Sequence, residues 1–205
     1  YVITQKYGTL TVTNRAENKR FEITVTANSV KATYDGKEHE AAGFETTEFT
    51  VNKQKYTVSG LTTESPKKTN AGTYTNNISG TAVVKDKDGN DVTAQFTVKT
   101  ENGNLVINKR AVTMTSKSDS KPYDGTALTK HEVTETGDGF VKGEGATYSY
   151  TGSQTLVGSS DNAFKYTLNE GTNADNYTIT QKYGTLTVTN SAENKRFEIT
   201  VTANS

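Results

Sequence analysis

The chain has 205 residues, with 23 basic and 23 acidic side chains and no cysteine, and its mean hydropathy is −0.72. This balance lacks the basic footprint that nucleic-acid binding or an anionic membrane surface requires, and no apolar run approaches the roughly 20 residues of a membrane-spanning helix. The missing cysteines exclude disulfides, thiolate metal sites and thiol catalysis. Thr is the most prominent residue, at 38 of 205 positions, while Leu, Ile, Val and Phe together number 37. That apolar share is at the edge of what a folded domain needs. Zero net charge and strict alternation of the apolar residues favour folding over disorder.

Alternation begins at Leu10-Thr-Val12-Thr13 and recurs at Phe21-Glu-Ile23-Thr-Val25-Thr26 and Phe96-Thr-Val98-Lys99. Each segment reads as a strand with one apolar and one wet face. Thr supports this, because its β-branched side chain suits a strand and its hydroxyl suits solvent. No window carries a helical stripe. Gly, Asn and Asp clusters punctuate the runs and mark turns.

The chain repeats itself. Residues 1–29 and 177–205 differ only at Val2/Thr178 and Arg15/Ser191. Inside this long period lie two diverged units. Lys19-Arg20 precedes a strand and then Tyr34-Asp35-Gly36; Lys109-Arg110 precedes another and then Tyr123-Asp124-Gly125. Asn70-Ala71-Gly72-Thr73-Tyr74-Thr75 aligns with Asn162-Ala163-Phe164-Lys165-Tyr166-Thr167. The units close alike, Phe96, Val98, Gly103, Leu105 and Ile107 corresponding to Tyr177, Ile179, Gly184, Leu186 and Val188. The expected organisation is closing strands of a preceding unit at 1–15, unit A at 16–108, unit B at 109–190, and the opening strand of a following unit at 191–205. The chain therefore reads as an internal stretch of a longer array. The expected fold is all-β: two tandem small antiparallel β domains, immunoglobulin-like sandwich or β-grasp-like, arranged end to end. The terminal segments Tyr1–Asn14 and Arg196–Ser205 are expected to need a sheet edge, of their own chain or of a neighbour, with strand exchange between fragments as one route.

The ordered set Tyr-Asp-Gly, Asn-Ala-x-x-Tyr-Thr, and Asn176-Tyr177-Thr-Ile followed by Gly-x-Leu-x-Val resembles the MBG/YDG repeats. These are mostly bacterial, glycine-rich modules strung along secreted and wall-anchored surface proteins. Unit A departs from the pattern around 45–68. The resemblance implies an extracellular, non-catalytic role at the bacterial cell surface, and it carries no functional residues with it.

Candidate sites each have a structural explanation. His39 and His131 do not occupy matching positions and read as surface residues. The segment Lys85-Asp86-Lys87-Asp88-Gly89-Asn90-Asp91 has a calcium-loop look, but lacks the closing bidentate Glu and reads as a hairpin turn. In both Tyr-Asp-Gly triplets Gly supplies a positive φ, Asp bonds the local backbone and Tyr covers the core. A Lys–Asn cross-link would draw on Lys19, Lys31 or Lys109 with Asn108, Asn14 or Asn190, yet these lysines lie in polar stretches at unit boundaries, whereas a cross-linking lysine must be desolvated. Asn77-Ile-Ser and Asn176-Tyr-Thr are glycosylation sequons of a kind a Thr-rich chain produces by chance. No catalytic, cofactor-binding or metal-binding residues are assigned, and no cofactor is expected. The partners expected are neighbouring repeats, with neither nucleic acid nor membrane insertion. The function expected is a stalk or spacer projecting a distal domain; the alternative is an adhesin that holds a host glycan or protein through repeated weak contacts.

Overall fold

The computed structural model describes residues 1–191 and 198–202. The fold is all-β, and the described helical elements are three 3-10 turns of three residues each. Two compact units emerge. The first comprises 1–32, 38–68 and 73–106; the second comprises 33–37, 69–72 and 107–205.

The strands of the first repeat are β1 (Phe21–Thr26), β2 (Val30–Thr33), β3 (His39–Glu40), β4 (Glu48–Val51), β5 (Gln54–Thr63), β6 (Lys67–Lys68), β7 (Gly72–Asn76), β8 (Ile78–Asp86), β9 (Phe96–Glu101) and β10 (Gly103–Asn108). β4, β5 and β8 form an antiparallel sheet, β3 pairs antiparallel with β6, and β10 lies between β2 and β7. β1 pairs in parallel with β9, from Phe21 opposite Phe96 to Thr26 opposite Glu101. The alternation of the sequence becomes the alternation of burial. Ile23 and Val25 turn inward with Val58, Val84 and Phe96, and Phe21, Phe49, Val51 and Tyr56 close around them.

The second repeat contributes β11 (Arg110–Ser116), β12 (Asp119–Pro122), β13 (Val133–Gly137), β14 (Ala146–Tyr150), β15 (Gly158–Asp161), β16 (Phe164–Leu168), β17 (Tyr177–Lys182) and β18 (Thr185–Thr189). β11 lies between β13 and β17, β18 lies between β12 and β15, and β14 pairs with β16. Again the opening and closing strands run parallel: Arg110 faces Tyr177 and Thr115 faces Lys182, then Asp119 faces Leu186 and Pro122 faces Thr189. Most ladders are antiparallel, as expected. The parallel pairing of first with last strands is the exception, and alternation alone does not announce it, since a strand's pattern is the same for either partner direction.

Each closing strand changes sheets at a glycine. A Cβ on Gly103 would stand 2.2 Å from Asn28 O, and one on Gly184 would stand 2.4 Å from Ser116 O. Only a residue without a side chain lets these backbones meet. Just beyond, the Asn104 N–H donates to Ser29 Oγ at 3.0 Å and the Thr185 N–H to Ser118 Oγ at 2.9 Å.

A buried asparagine ties each crossover. Asn76, fully buried, donates through Nδ2 to Asn28 O at 3.2 Å and accepts at Oδ1 from the Ser65 N–H at 2.9 Å. Asn162, also fully buried, donates to Lys117 O and Lys130 O, both at 2.8 Å. The structural counterpart of Asn162 is thus Asn76 rather than Asn70, which the alignment of short motifs suggested. Asn70 instead bonds the Asn176 side chain.

Residues 1–16 form no strand, and Tyr1, Ile3, Tyr7, Leu10 and Val12 are exposed. No sheet edge among the described residues holds them, contrary to one form of the expectation. At the end of the segment Gln95 Nε2 donates to Asn14 Oδ1 and the Arg15 N–H donates to Gln95 Oε1. The expected opening strand at 191–205 falls largely on residues outside those described; Glu198–Thr202 carry no strand.

Candidate functional site: a tyrosine–glutamate clamp

A polar constellation lies in the second unit, around the first Tyr-Asp-Gly turn. Gly36 adopts φ 77°, Asp35 Oδ1 accepts the Lys37 N–H at 3.0 Å, and Tyr34 is 5% exposed. The second turn is built alike: Gly125 has φ 81°, and Asp124 Oδ1 accepts from the Thr126 N–H at 2.9 Å and from Lys121 Nζ at 2.8 Å. Both turns therefore follow the roles read from their residues.

Tyr34 OH donates to Glu144 Oε1 at 2.5 Å, and Tyr177 OH donates to Glu144 Oε2 at 2.8 Å. One carboxylate thus clasps two phenols, whose rings meet edge to face at 5.5 Å. Phe140 packs on the Tyr177 ring at 5.0 Å, and the Val141 N–H donates to Tyr177 OH at 3.0 Å. Asn176 Oδ1 accepts the Ala71 N–H at 2.8 Å, while Arg110 donates to Gly139 O and Asp138 O. Each element reaches the clamp for a local reason. Tyr177 and Arg110 are facing ends of the parallel β11–β17 ladder, and the 3-10 turn Ala174–Asn176 delivers Asn176 beside them.

Burial, followed by the Glu144 hydrogen bond, raises the pKa of Tyr34. Burial likewise pushes Tyr177 up to about 12, with the Glu144 hydrogen bond adding to it and the Val141 N–H opposing it. The folded protein therefore keeps phenol protons that the unfolded chain loses near pH 10. By linkage this stabilisation is complete below about pH 10 and is lost as pH climbs toward about 12. Glu144→Gln should lessen that alkaline decline without abolishing it, because it removes the carboxylate contribution and leaves the larger effect of burial. Thermal midpoints measured from pH 8 to 11.5 for both proteins test this; superimposable profiles would refute it.

Glu144 is committed to its two phenols, so the arrangement holds a turn and presents no free base. Among the described residues no group of three or more His, Asp or Glu side chains gathers to hold a metal ion. No helix among them is long and apolar enough to cross a membrane. His39 lies in β3, and exposed His131 stacks on Tyr150 at 4.8 Å. Asp86 Oδ1 accepts the N–H groups of Asp88 and Asn90, both at 2.9 Å, and Gly89 takes φ 85°. The 85–91 segment is therefore a hairpin turn whose first Asp is spent on its own backbone.

No family model, curated protein or solved structure matches the chain.

Lys19, Lys31, Lys109, Asn14, Asn108 and Asn190, the residues considered for a cross-link, are all exposed, and the buried polar residues among those described are Asn76, Ser116, Asn162 and Asn176. The sequon at Asn176 is closed to a glycan, since its side chain is 1% exposed and doubly bonded. Sequence reasoning missed the clamp because Glu144 sits in a Gly-rich loop with no pattern. The recurring tyrosines, Tyr34 and Tyr177, were the available signal.

Proposed function

We propose that the chain is a run of structural stalk or spacer repeats from a bacterial cell-surface or secreted protein, projecting a distal domain. The observation that carries this reading is the parallel pairing of opening and closing strands in both repeats. In a parallel pair the start of the first strand and the finish of the last lie at opposite ends of the ladder. Tension entering at the opening strand and leaving at the closing strand loads every hydrogen bond of the ladder together, in shear. An antiparallel terminal pair would be peeled one bond at a time. Near-identity of the copies fits the same role, since a spacer needs length, and length grows by copying. The resemblance to MBG/YDG modules points the same way and supports an extracellular, non-catalytic setting.

The adhesin reading would draw on the groove beside Tyr74, where Lys68 Nζ lies 5.4 Å from the ring centroid and Pro66 and Lys67 form the wall. Screening the protein against glycan arrays and host extracellular-matrix proteins separates the two. A spacer gives no saturable binding at micromolar protein. Saturable binding abolished by Tyr74→Ala would replace the spacer reading with the adhesin one.

A further inference from the structure

We propose that the second repeat is completed by a turn of the first: it carries a socket for the Tyr34-Asp35-Gly36 turn, and its stability depends on that turn being seated there. By sequence, residues 33–37 and 69–72 lie inside the first repeat. Both segments nevertheless fold with 107–205 as parts of the second compact unit. The sequence repeat and the folded unit therefore do not share a boundary.

The socket is built from Arg110, Val141, Glu144, Asn176 and Tyr177, and each meets a different part of what it holds. Glu144 Oε1 accepts from the Tyr34 hydroxyl at 2.5 Å, and Arg110 Nη1 donates to Tyr34 O at 3.5 Å. The Tyr34 N–H donates to Asn108 O at 2.9 Å, so the turn is also tied through its backbone. Tyr177 sets its ring edge to face with that of Tyr34. Val141 closes on the glycine: a Cβ on Gly36 would stand 3.0 Å from Val141 Cγ1. Asn176 holds the second segment, accepting from the Ala71 N–H at 2.8 Å and donating to Asn70 Oδ1 at 3.1 Å. An aromatic anchor, its polar tip on a carboxylate and its surroundings cleared of water, is the form a recognition site takes. The partner that fits is a tight turn with tyrosine at its base and glycine two residues on. Without it, half-buried Glu144 keeps one phenol instead of two, and a charge loses a donor where water has little access.

Native-state amide exchange on the full chain tests this with Tyr34→Phe, Glu144→Gln and the double variant. Val112 and Met114 of the central strand β11 report on the second unit. Val58, whose N–H donates to Thr47 O, and Val84, whose N–H donates to Thr93 Oγ1, report on the first. Tyr34→Phe removes one hydroxyl bonded to a charged group. It should speed exchange at Val112 and Met114 by about tenfold or more, although the altered residue belongs to the first repeat. Val58 and Val84 should keep their wild-type rates. The double variant should fall short of the product of the two single effects, because the hydroxyl and the carboxylate act through one another. Acceleration at Val58 and Val84 equal to or greater than that at Val112 and Met114 would overturn the proposal, since Tyr34 would then serve its own repeat. Unchanged exchange at all four amides, or effects that multiply strictly in the double variant, would overturn it as well.

Discussion

Gly103→Ala is expected to destabilise the first unit by about 3–5 kcal/mol, a loss of the size reserved for core disruption. The added Cβ would stand 2.2 Å from Asn28 O, 2.6 Å from Ala27 O and 2.7 Å from Asn28 C. All three are backbone atoms, so no side chain can swing aside. Relief would require β10 to lift from the opening strand, breaking the bond from the Ala27 N–H to Glu101 O at 2.9 Å and the one from Asn104 to Ser29. It would also pull Leu105, which is fully buried, out of register. Gly89→Ala is the control. Its Cβ meets nothing within 4 Å, and only the φ of 85° opposes it, at about 1–2 kcal/mol. Urea unfolding of the two variants, followed through the amides of Val25 and Leu105, measures the contrast. Equal losses for the two would mean that the close backbone approach is not what Gly103 provides.

Asn76→Ala should cost about 2–4 kcal/mol, because it strands two groups at once. Asn28 O loses its donor and the Ser65 N–H loses its acceptor, in a place where the Asn76 side chain is fully buried. Each unpaired buried group costs about 1–3 kcal/mol. Asn76→Asp should be worse than its near-identical shape suggests, since a carboxylate cannot donate to Asn28 O and would face that carbonyl as a second acceptor. Asn162→Ala should fall in the same range, through Lys117 O and Lys130 O. Chemical denaturation of the three variants decides the matter. A loss under about 1 kcal/mol for Asn76→Ala would show that water replaces the side chain without penalty.

These two residue types mark where the sequence was legible and where it was not. Period-two alternation identified β1 and β9 and their buried faces, because one apolar face per strand is written directly in residue order. The Tyr-Asp-Gly turns were legible because a positive φ restricts the choice of residue, and Gly36 and Gly125 adopt it. The hairpin at 85–91 was legible because Asp86 can satisfy the turn locally. Parallel pairing was not, since residues 75 or 67 positions apart meet through topology rather than pattern. The crossover glycines were matched as repeated letters, but their reason, contact with a carbonyl far away in sequence, is invisible without the partner strand. Asn76 was hidden between Asn77 and a Thr-rich strand, and motif matching chose Asn70 instead. Glu144 was hidden for the same reason: its value lies in two phenols that are 110 and 33 residues away.

A spacer of this kind is proposed to bear tension through its parallel opening and closing strands. Single-molecule force spectroscopy tests it when the protein is pulled first through its two ends and then, after cysteine attachment at Arg110 and Lys182, across the β11–β17 ladder from positions at opposite ends of it, compared with attachment at Arg110 and Thr178 at the same end. Attachment at opposite ends shears the ladder, whereas attachment at the same end peels it. Forced unfolding is governed by the unfolding barrier rather than by equilibrium stability, so both geometries start from the same native state and differ only in how the bonds are loaded. The second repeat is expected to resist distinctly higher force in shear than in peeling, and pulling through the chain ends is expected to give forces like those in shear. Equal forces in the two geometries, or low forces through the chain ends, would contradict it.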